Sequence, residues 1–281
     1  MHPFLIVFFS ILAALLLLAL LYLFSVAPAR RRASAAPLMA HPYAHRGLHD
    51  ARLPENSLGA FAAAAEAGYG IELDVRLSRD GVAMVFHDDT LARVCGAAGR
   101  VEDYTAKDLQ KMPLCGQAEH TIPTFADVLR TVGGRVPLLV EVKGYIHIAA
   151  VCEKTAALLD SYGGAYMVES FSPFVLRWFR RHRPAVVRGQ LSSRLFVKGK
   201  RNAGNWLVES LCCNFLTKPD FIAFCYADRR LLSFRLATRL FGAYSLAWTV
   251  KSAQAAKECT DFDNIIFEGY LPKESEDTAC D

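Results

Sequence analysis

Short apolar runs and helix-like stretches alternate along the chain from Tyr43 onward. The apolar runs predict eight strands, at residues 43–45, 70–75, 82–87, 136–142, 165–170, 185–191, 221–225 and 244–250. The stretches between most of them predict helices, at residues 57–67, 125–132, 148–161, 173–181 and 231–241. Strands that alternate with helices form parallel βαβ units, and strands that are apolar throughout are buried on both faces. The pattern therefore predicts an α/β domain in which helices cover a parallel sheet.

The number of apolar runs matches the eight strands of a (β/α)8 barrel, and the chain has a typical length for that fold. A doubly wound open sheet is the competing architecture. It usually carries a Gly-rich strand-to-helix loop, and the chain has neither a G-x-G-x-x-G nor a Walker A string. Residues 89–123 are polar and contain glycine, with a short helix predicted near residues 105–110. We therefore expect a TIM barrel with a small insertion after the third strand.

An uncharged apolar run precedes the predicted barrel. It extends from Phe4 to Phe24, and about 21 residues at about 1.5 Å each span the roughly 30 Å core of a bilayer. A cleaved secretory signal is the weaker alternative, because no Lys or Arg precedes the run and its length exceeds the usual h-region. Arg30, Arg31 and Arg32 follow the run, and positive residues stay on the cytoplasmic side. The segment therefore predicts a single-pass membrane protein with a cytoplasmic domain.

These features divide the chain into a transmembrane anchor (1–27), a basic Pro/Ala-rich linker (28–42) and a barrel domain (43–281). The formal net charge of +4 includes the three arginines after the anchor, so it gives no argument for a nucleic-acid partner. The eight cysteines form no C-x-x-C pair of the kind that binds zinc. Free thiols fit a reducing compartment.

Ionisable side chains cluster where the predicted strands end. Glu72 and Asp74 are two residues apart, as are Glu141 and Lys143, so each pair points to one side of its strand. In a barrel such strand ends face one shared pocket. Three carboxylates in one pocket repel each other unless a cation lies among them, and oxygen ligands select Mg²⁺ or Ca²⁺. We therefore expect one divalent cation, bound by Glu72, Asp74 and Glu141.

Basic side chains at other strand ends complete this predicted pocket. His45 and His87 are available for proton transfer, one to deprotonate a nucleophile and the other to protonate a leaving oxygen. Arg46 and Lys143 can bind and neutralise a phosphate oxyanion. Each group alone has an ordinary explanation, such as a solvated strand face or a surface ion pair of small energy. Their occurrence together favours metal-dependent phosphate chemistry.

Three further residues have weaker indications of a role. Glu55 stands just before the first predicted helix, where it is equally explained as a charge beside the helix N-terminus. Phe171 and Trp248 stand at the ends of the fifth and eighth predicted strands and can form a wall of the pocket. For an isolated aromatic residue a core position is the default.

Eight strings recur in order between Tyr43 and Pro272: AHRG at 44–47, PENS at 54–57, IELDV at 71–75, FHDDTLAR at 86–93, IPTFADVL at 122–129, VEVK at 140–143, ESFSP at 169–173 and WTVK at 248–251. Together they resemble the glycerophosphodiester phosphodiesterase family, part of the superfamily of phospholipase C-like phosphodiesterases. Two positions depart from the family pattern. Glu268-Gly269 stands where an Asp-Arg-Pro type string is usual, and Lys251 stands where Asn is frequent.

The resemblance implies a TIM barrel with a small insertion, one divalent cation, and hydrolysis of a glycerophosphodiester to sn-glycerol 3-phosphate and an alcohol. It places the family's functional residues at these positions: metal ligands Glu72, Asp74 and Glu141, acid/base residues His45 and His87, phosphate contacts Arg46 and Lys143, and supporting or substrate residues Glu55 and Trp248. The expected partners are a small glycerophosphodiester or a lysophospholipid, together with the membrane.

Several alternatives stay open at this point. A membrane-tethered lysophospholipase D would use the same residues on a lipid with one acyl chain. A phospholipase C-like lyase would instead release a cyclic phosphate. A barrel that serves only as a binding module is disfavoured, because all the positions expected to bind metal, transfer protons or bind phosphate carry the required residue types. Attack by a substrate hydroxyl and direct attack by water are both compatible with the sequence.

Overall fold

The computed structural model describes residues 3–29, 32–144, 147–195 and 201–272. Within these residues the strands are β1 (Tyr43–Ala44), β2 (Gly70–Leu77), β3 (Ala83–Val85), β4 (Pro113–Leu114), β5 (Gln117–Thr121), β6 (Leu138–Val142), β7 (Tyr166–Ser170), β8 (Arg188–Ser192), β9 (Phe221–Cys225), β10 (Tyr244–Val250) and β11 (Asn264–Phe267). Strands β1, β2 and β6 to β11 pair in parallel in chain order. Because β1 pairs with both β2 and β11, the sheet closes into the predicted eight-stranded barrel.

One predicted barrel strand is assigned wrongly. The run at residues 82–87 forms β3, which pairs antiparallel with β2 beside the barrel. Only residues 78–82 separate the two strands, whereas a parallel crossover needs about a dozen residues or more. The eighth barrel strand is instead β11, which was not among the predicted runs. The insertion nevertheless follows the third strand in chain order, as expected.

The described helices include close matches to four of the five predicted stretches, together with others that were not predicted. They are α1 (Pro3–Val26), α2 (Arg32–Ala35), α3 (Leu58–Glu66), α4 (Ala92–Cys95), α5 (Ala106–Leu109), α6 (Phe125–Val132), α7 (Ile148–Asp160), α8 (Pro173–His182), α9 (Ala203–Glu209), α10 (Asn214–Thr217), α11 (Leu232–Arg235) and α12 (Ala253–Lys257). Side-chain N-caps begin five of them. For example, Ser57 accepts from the Ala60 amide at α3, and Thr124 accepts from the Asp127 amide at α6. The predicted 231–241 helix is divided into α11 and a π-helical turn at Leu236–Leu240.

Alternating side chains on the barrel strands separate two cores. On β2, Ile71 and Leu73 point outward and are buried in the layer between strands and helices. Inward-pointing residues such as Tyr43, Leu139 and Phe221 fill the lower interior of the barrel. Because the lower interior is apolar and tightly filled, the inward-facing charged groups collect at the upper, carboxyl-terminal end of the strands.

The N-terminal helix packs against the barrel at its last turn. Most of α1 is exposed, and it is long and apolar enough to cross a membrane. Its Val26 is fully buried, in a cluster with Ile222 and Phe234 to which Tyr22 also contributes. The Asn214 side-chain amide donates to the Val26 carbonyl at 2.7 Å. The helix end is therefore held by the outer wall of the barrel.

The segment expected to be a linker also contacts the barrel. It contains α2 and a 3-10 turn at Ala36–Met39, and its Leu38 and Met39 are buried with the residues of the lower interior. The Tyr43 hydroxyl donates to the Leu38 carbonyl at 2.7 Å. This part of the chain therefore covers the lower end of the barrel. Arg30 and Arg31, on which the predicted orientation depends, lie outside the described residues.

Candidate active site

Three carboxylates meet at the upper end of the barrel, on the neighbouring strands β2 and β6. Glu72 and Asp74 lie on the inward side of β2, and Asp74 stands beside Glu141 in the parallel register. One oxygen from each carboxylate lies within 4.8 Å of the others, and all three residues are buried. The predicted ligands are therefore brought together, and their oxygen-only donor set fits a hard divalent cation.

The charges of these carboxylates are only partly balanced. The Lys143 ammonium lies 2.9 Å from Asp74 Oδ1 and 2.7 Å from Glu141 Oε2. Although burial acts in the opposite direction, Lys143 holds the pKa of Asp74 well below its usual range. Burial and the two neighbouring carboxylates raise the pKa of Glu72 well above its ordinary value. The site therefore favours an additional positive charge, which a metal ion would supply.

His45 is oriented by a carboxylate on its far side. Its Nδ1 lies 2.7 Å from Glu268 Oε2, and its Nε2 lies 4.0 Å from Glu72 Oε2. Because a carboxylate only accepts, Nδ1 carries the proton and Nε2 keeps its lone pair toward the triad. Lys251 donates to the other Glu268 oxygen at 2.8 Å. Burial, assisted by the positive charge of Arg46, lowers the pKa of His45.

His87 has the same kind of support from the insertion. Its Nδ1 lies 2.7 Å from Asp88 Oδ1, and Arg93 donates to both oxygens of Asp88. The hydrogen bonds from Arg93 lower the pKa of Asp88 to about 2. Arg93 also donates to both oxygens of Glu55 at 2.7 Å. Burial lowers the pKa of His87. Because Nδ1 donates to Asp88, Nε2 is the nitrogen left to take up or release a proton.

Two residues in the loop after β1 have left-handed backbone conformations that L side chains rarely adopt. Arg46 and Asn56 both have φ of 57°. The Arg46 amide donates to Glu72 Oε2 at 3.0 Å, and its guanidinium donates to Glu55 at 2.7 Å. The Asn56 side-chain amide donates to Asp74 at 2.9 Å. These bonds compensate for the strained backbone and fix the two ligand carboxylates of β2.

A cavity of about 110 Å³ opens beside the triad and is lined by His45, His87 and both predicted aromatic residues. Phe171 and Trp248 contact each other edge to face, with ring centroids 5.7 Å apart. Larger grooves of about 580 and 1120 Å³ on the described part of the chain contain none of the three carboxylates. The chemistry-bearing residues therefore surround a small pocket rather than the largest one.

A fourth buried carboxylate, which sequence reasoning did not single out, also lines this cavity. Glu169 stands beside Glu141 in the register of β6 and β7, and it is only 1% exposed. Its Oε2 has no hydrogen-bond partner. Burial and the charges of Glu72 and Glu141 raise its pKa well above the ordinary value. The available signal was its place at the end of the fifth apolar run, the same signal that identified the triad.

The supporting residues Arg93 and Glu268 were also missed. Arg93 lies in the insertion, at a helix that the sequence pattern did not predict. Glu268 lies just after β11, the barrel strand absent from the predicted set. Glu268 lies 223 residues from His45 in the sequence, and Arg93 acts on His87 only through Asp88. Apolar periodicity therefore gave no indication of either pairing.

Comparison with known proteins agrees with this geometry. A family model described as the glycerophosphoryl diester phosphodiesterase family matches residues 45–262. A glycerophosphodiester phosphodiesterase of Caldanaerobacter subterraneus subsp. tengcongensis is 33% identical over 158 residues, which cover 53% of this chain and 65% of that protein. The chain thus spans less than two thirds of the length of this curated relative.

Solved structures share the fold over most of the chain. A phosphodiesterase of Oleispira antarctica, in complex with the product sn-glycerol-3-phosphate, has a TM-score of 0.67 at 22% identity and is covered over 94% of its length by 83% of this chain. A glycerophosphodiester phosphodiesterase of Thermotoga maritima has a TM-score of 0.61 at 25% identity, over 80% of this chain and 92% of that one.

Proposed function

The chain belongs to the glycerophosphoryl diester phosphodiesterase family, and on this premise we propose that it hydrolyses glycerophosphodiesters to sn-glycerol 3-phosphate and an alcohol. The observation that carries the proposal is the buried group Glu72, Asp74 and Glu141, with ligand oxygens within 4.8 Å of one another beside two carboxylate-oriented histidines. This arrangement combines a cation site with two proton carriers in one pocket.

The cation in this proposal is Mg²⁺ or Ca²⁺, because the three donors are all carboxylate oxygens. When bound, the ion polarises a phosphoryl oxygen and stabilises the charge that develops on it. Arg46 and Lys143 supply further positive charge for the phosphate. Lys143 lies between Asp74 and Glu141, so it also holds these two ligands in place.

Proton transfer is assigned to His45 and His87. In both residues Nδ1 donates to a carboxylate, which leaves Nε2 available to take a proton from the nucleophile or give one to the leaving oxygen. The lowered pKa values favour a neutral ring, which the general base requires. The histidine that acts as general acid must carry a second proton, on Nε2, before it can protonate the leaving oxygen. Glu55 supports this arrangement by bridging Arg46 and Arg93.

The alternative substrate is a lysophospholipid, cleaved by the same residues in a membrane-tethered lysophospholipase D. The packing of the last turn of α1 against the barrel supports it, because a helix long enough to span a membrane would hold the barrel close to lipid. In this proposal α1 is an uncleaved single-pass anchor, and the arginines after it place the barrel on the cytoplasmic side.

A panel of phosphodiesters tests both candidates. Glycerophosphocholine, glycerophosphoethanolamine and lysophosphatidylcholine are assayed with the full-length protein in detergent, after EDTA treatment and with Mg²⁺ or Ca²⁺ restored. We expect release of glycerol 3-phosphate from the water-soluble diesters, loss of activity with EDTA and recovery with metal. Cleavage of the lysolipid alone would favour the alternative, and inactivity on all substrates with metal present would refute both.

A further inference from the structure

Exposed apolar side chains are grouped on the outer side of the barrel around β9. On the described part of the chain after α1, nine large apolar side chains are exposed, and five of them belong to this group. The five are Trp206, Leu207, Phe215, Leu232 and Leu240. They lie on α9, α10, α11 and the π-helical turn, which precede and follow β9 along the chain. Grouped apolar residues on a folded surface indicate an interaction site, and we call residues 201–241 the β9 face.

The β9 face also holds the last turn of α1. Val26 packs with Leu211 and Ala237, and both α10 and the π-helical turn contact α1. Just after the helix, the Ala29 amide donates to the Pro219 carbonyl at 2.8 Å. The exposed apolar side chains therefore flank the point at which α1 leaves the barrel.

The length of α1 determines how close this face would lie to a bilayer. The helix has 24 residues, which extend about 36 Å at about 1.5 Å each. The roughly 30 Å hydrocarbon core of a bilayer takes up about 20 of them. The remaining turn is the one that ends at the buried Val26. If α1 crosses a membrane, the barrel wall is thus within about one 5.4 Å turn of the hydrocarbon edge, where the headgroups lie.

The charges of the β9 face suit a layer of anionic headgroups. Within residues 201–241, the exposed charged side chains are all arginines: Arg201, Arg230, Arg235 and Arg239. The acids of the same segment are less accessible, since Asp220 and Asp228 are buried and Glu209 is half-buried. A surface that combines apolar side chains with positive charge is typical of contact with an anionic membrane.

We propose that the β9 face rests on the headgroup layer of the bilayer that α1 crosses, with Trp206 at the interface and the arginines on anionic lipids. This inference goes beyond the proposed reaction and rests on the proposed anchor. Tryptophan is enriched at membrane interfaces because its ring is apolar and its indole N–H is polar. The barrel is then held in one orientation on the membrane instead of turning freely at the end of its helix.

Tryptophan fluorescence of the full-length protein in lipid nanodiscs tests the proposal. The discs contain equal parts of phosphatidylcholine and phosphatidylserine, with or without bromine atoms near the headgroup end of the acyl chains. Bromolipid quenches a tryptophan in contact with lipid, whereas added iodide quenches one in water. The contribution of Trp206 is the difference between the wild type and Trp206→Phe. Trp178→Phe is the matched control, since Trp178 is half-buried on α8 and stacks on His182.

We expect bromolipid to quench Trp206 and iodide to have little effect on it. Trp206→Phe should therefore lose most of the bromolipid quenching, and Trp178→Phe should keep it. Quenching of Trp206 by iodide alone would mean that the face is in water and would overturn the proposal. Shielding from both quenchers would mean that protein, such as a second copy of the chain, covers the face, and would also overturn it.

A second variant tests the face without changing Trp206. Each basic residue near an anionic surface contributes a factor of roughly 5 in binding, so Arg230→Gln with Arg235→Gln should lower the ratio of docked to undocked barrel roughly 30-fold. Bromolipid quenching of Trp206 should fall accordingly. Arg100→Gln with Lys107→Gln removes two exposed charges from the insertion beside β2, on the opposite side of the barrel, and should have no effect. Equal quenching in both double variants would contradict the contact with anionic lipid.

Failure of the anchor is distinguishable from failure of this proposal. Protein that does not elute with the nanodiscs in size-exclusion chromatography would refute the anchor and the proposal together. Protein that elutes with the discs, but whose Trp206 is not quenched by bromolipid, would overturn the proposal alone.

Discussion

At the residue scale, the two candidate catalytic histidines are oriented in the same way. Each ring has Nδ1 bound at 2.7 Å to a carboxylate, Glu268 for His45 and Asp88 for His87. Each carboxylate is in turn fixed by a basic side chain, Lys251 or Arg93. A ring held in this way has one defined tautomer and presents Nε2 to the pocket.

Removal of either ring tests the proton-transfer assignment. We expect His45→Ala and His87→Ala each to lower kcat roughly 10²–10⁴-fold, because each removes one general acid or base. Steady-state kinetics on glycerophosphocholine with saturating metal measures the effect. His182→Ala is the control, since His182 is exposed at the end of α8 and stacks on Trp178 away from the pocket. Near-normal turnover in either site variant would contradict the assignment.

At the element scale, the insertion contributes to the active site through α4. Arg93 reaches from this short helix to Asp88 and Glu55, and so links the insertion to the supports of both His87 and Arg46. The insertion packs around its own small core, which includes Val94 and Leu109. A separately packed unit therefore positions a side chain that the barrel strands cannot supply.

A change at Arg93 tests this role of the insertion. We expect Arg93→Ala to lower kcat roughly 10-fold or more, because Asp88 and Glu55 lose their shared partner and His87 is less well oriented. Arg93→Lys should restore only part of the rate, since an ammonium cannot bind two carboxylates in the fork geometry of a guanidinium. The kcat of both variants is measured by steady-state kinetics. Arg100→Ala is the control, since Arg100 is an exposed arginine of the same insertion. Equal rates in all three would argue against the role.

The N-terminal helix α1 also packs against the barrel, in addition to being long and apolar enough to cross a membrane. Tyr22 and Val26 complete a buried cluster with residues of β9 and α11, and Lys218 donates to the Ala27 carbonyl at 2.8 Å. The last turn of α1 is thus part of the barrel wall, whereas the preceding turns are exposed apolar surface.

Two truncations separate these parts of the helix. A chain beginning at residue 21 keeps the last turn, and one beginning at residue 28 loses it. We expect the shorter chain to be less stable by about 2 kcal/mol or more, since burial of a Val side chain alone is worth roughly 1.5–3 kcal/mol. Thermal melting should show a difference of several degrees at roughly 2–4 °C per kcal/mol. Equal melting temperatures would mean that the docked turn does not stabilise the barrel.

At the scale of the whole molecule, the barrel encloses several like charges in the upper part of its interior. In the metal-free protein, burial and the neighbouring charge of Asp74 raise the pKa of Glu141 to about 7. The folded state then binds the proton more tightly than the unfolded chain, whose Glu has a pKa near 4.3. The resulting stabilisation is complete below about pH 4.3 and is lost as the pH rises to about 7.

The stability of the whole domain should therefore depend on pH and metal together. In EDTA we expect a melting temperature a few degrees higher at pH 5 than at pH 8. Metal at about 100 times its Kd should add roughly 2.7 kcal/mol at pH 8. Calorimetry of Glu141→Gln, whose side chain stays neutral, should show a flatter pH dependence and a smaller gain with metal. A wild type equally stable at both pH values in EDTA would argue against repulsion among the buried carboxylates.

The local pattern of apolar and polar residues predicted most of the helices and strands. Formation of a helix or strand depends largely on residues that are close in the sequence. The limits of α6 agree to the residue, since its apolar spacing and the cap at Thr124 act within one helix. The assignment of β3 to the barrel was wrong because strand direction depends on the connection and on pairing rather than on apolar character. Strand β11 was missed for a related reason, since it is recognised by its pairing with β10 and β1.

The sequence by itself determined the barrel class, the family and the identity of the clustered carboxylates, because the period of two on a strand and the position at a strand end are local properties. Only the tertiary structure decided that Glu72, Asp74 and Glu141 share one small volume, and that Glu169 stands in the same pocket with an unpaired oxygen. It also decided that the distant Glu268 orients His45. Closure of the barrel sets these contacts, since it brings together strand ends that are far apart along the chain.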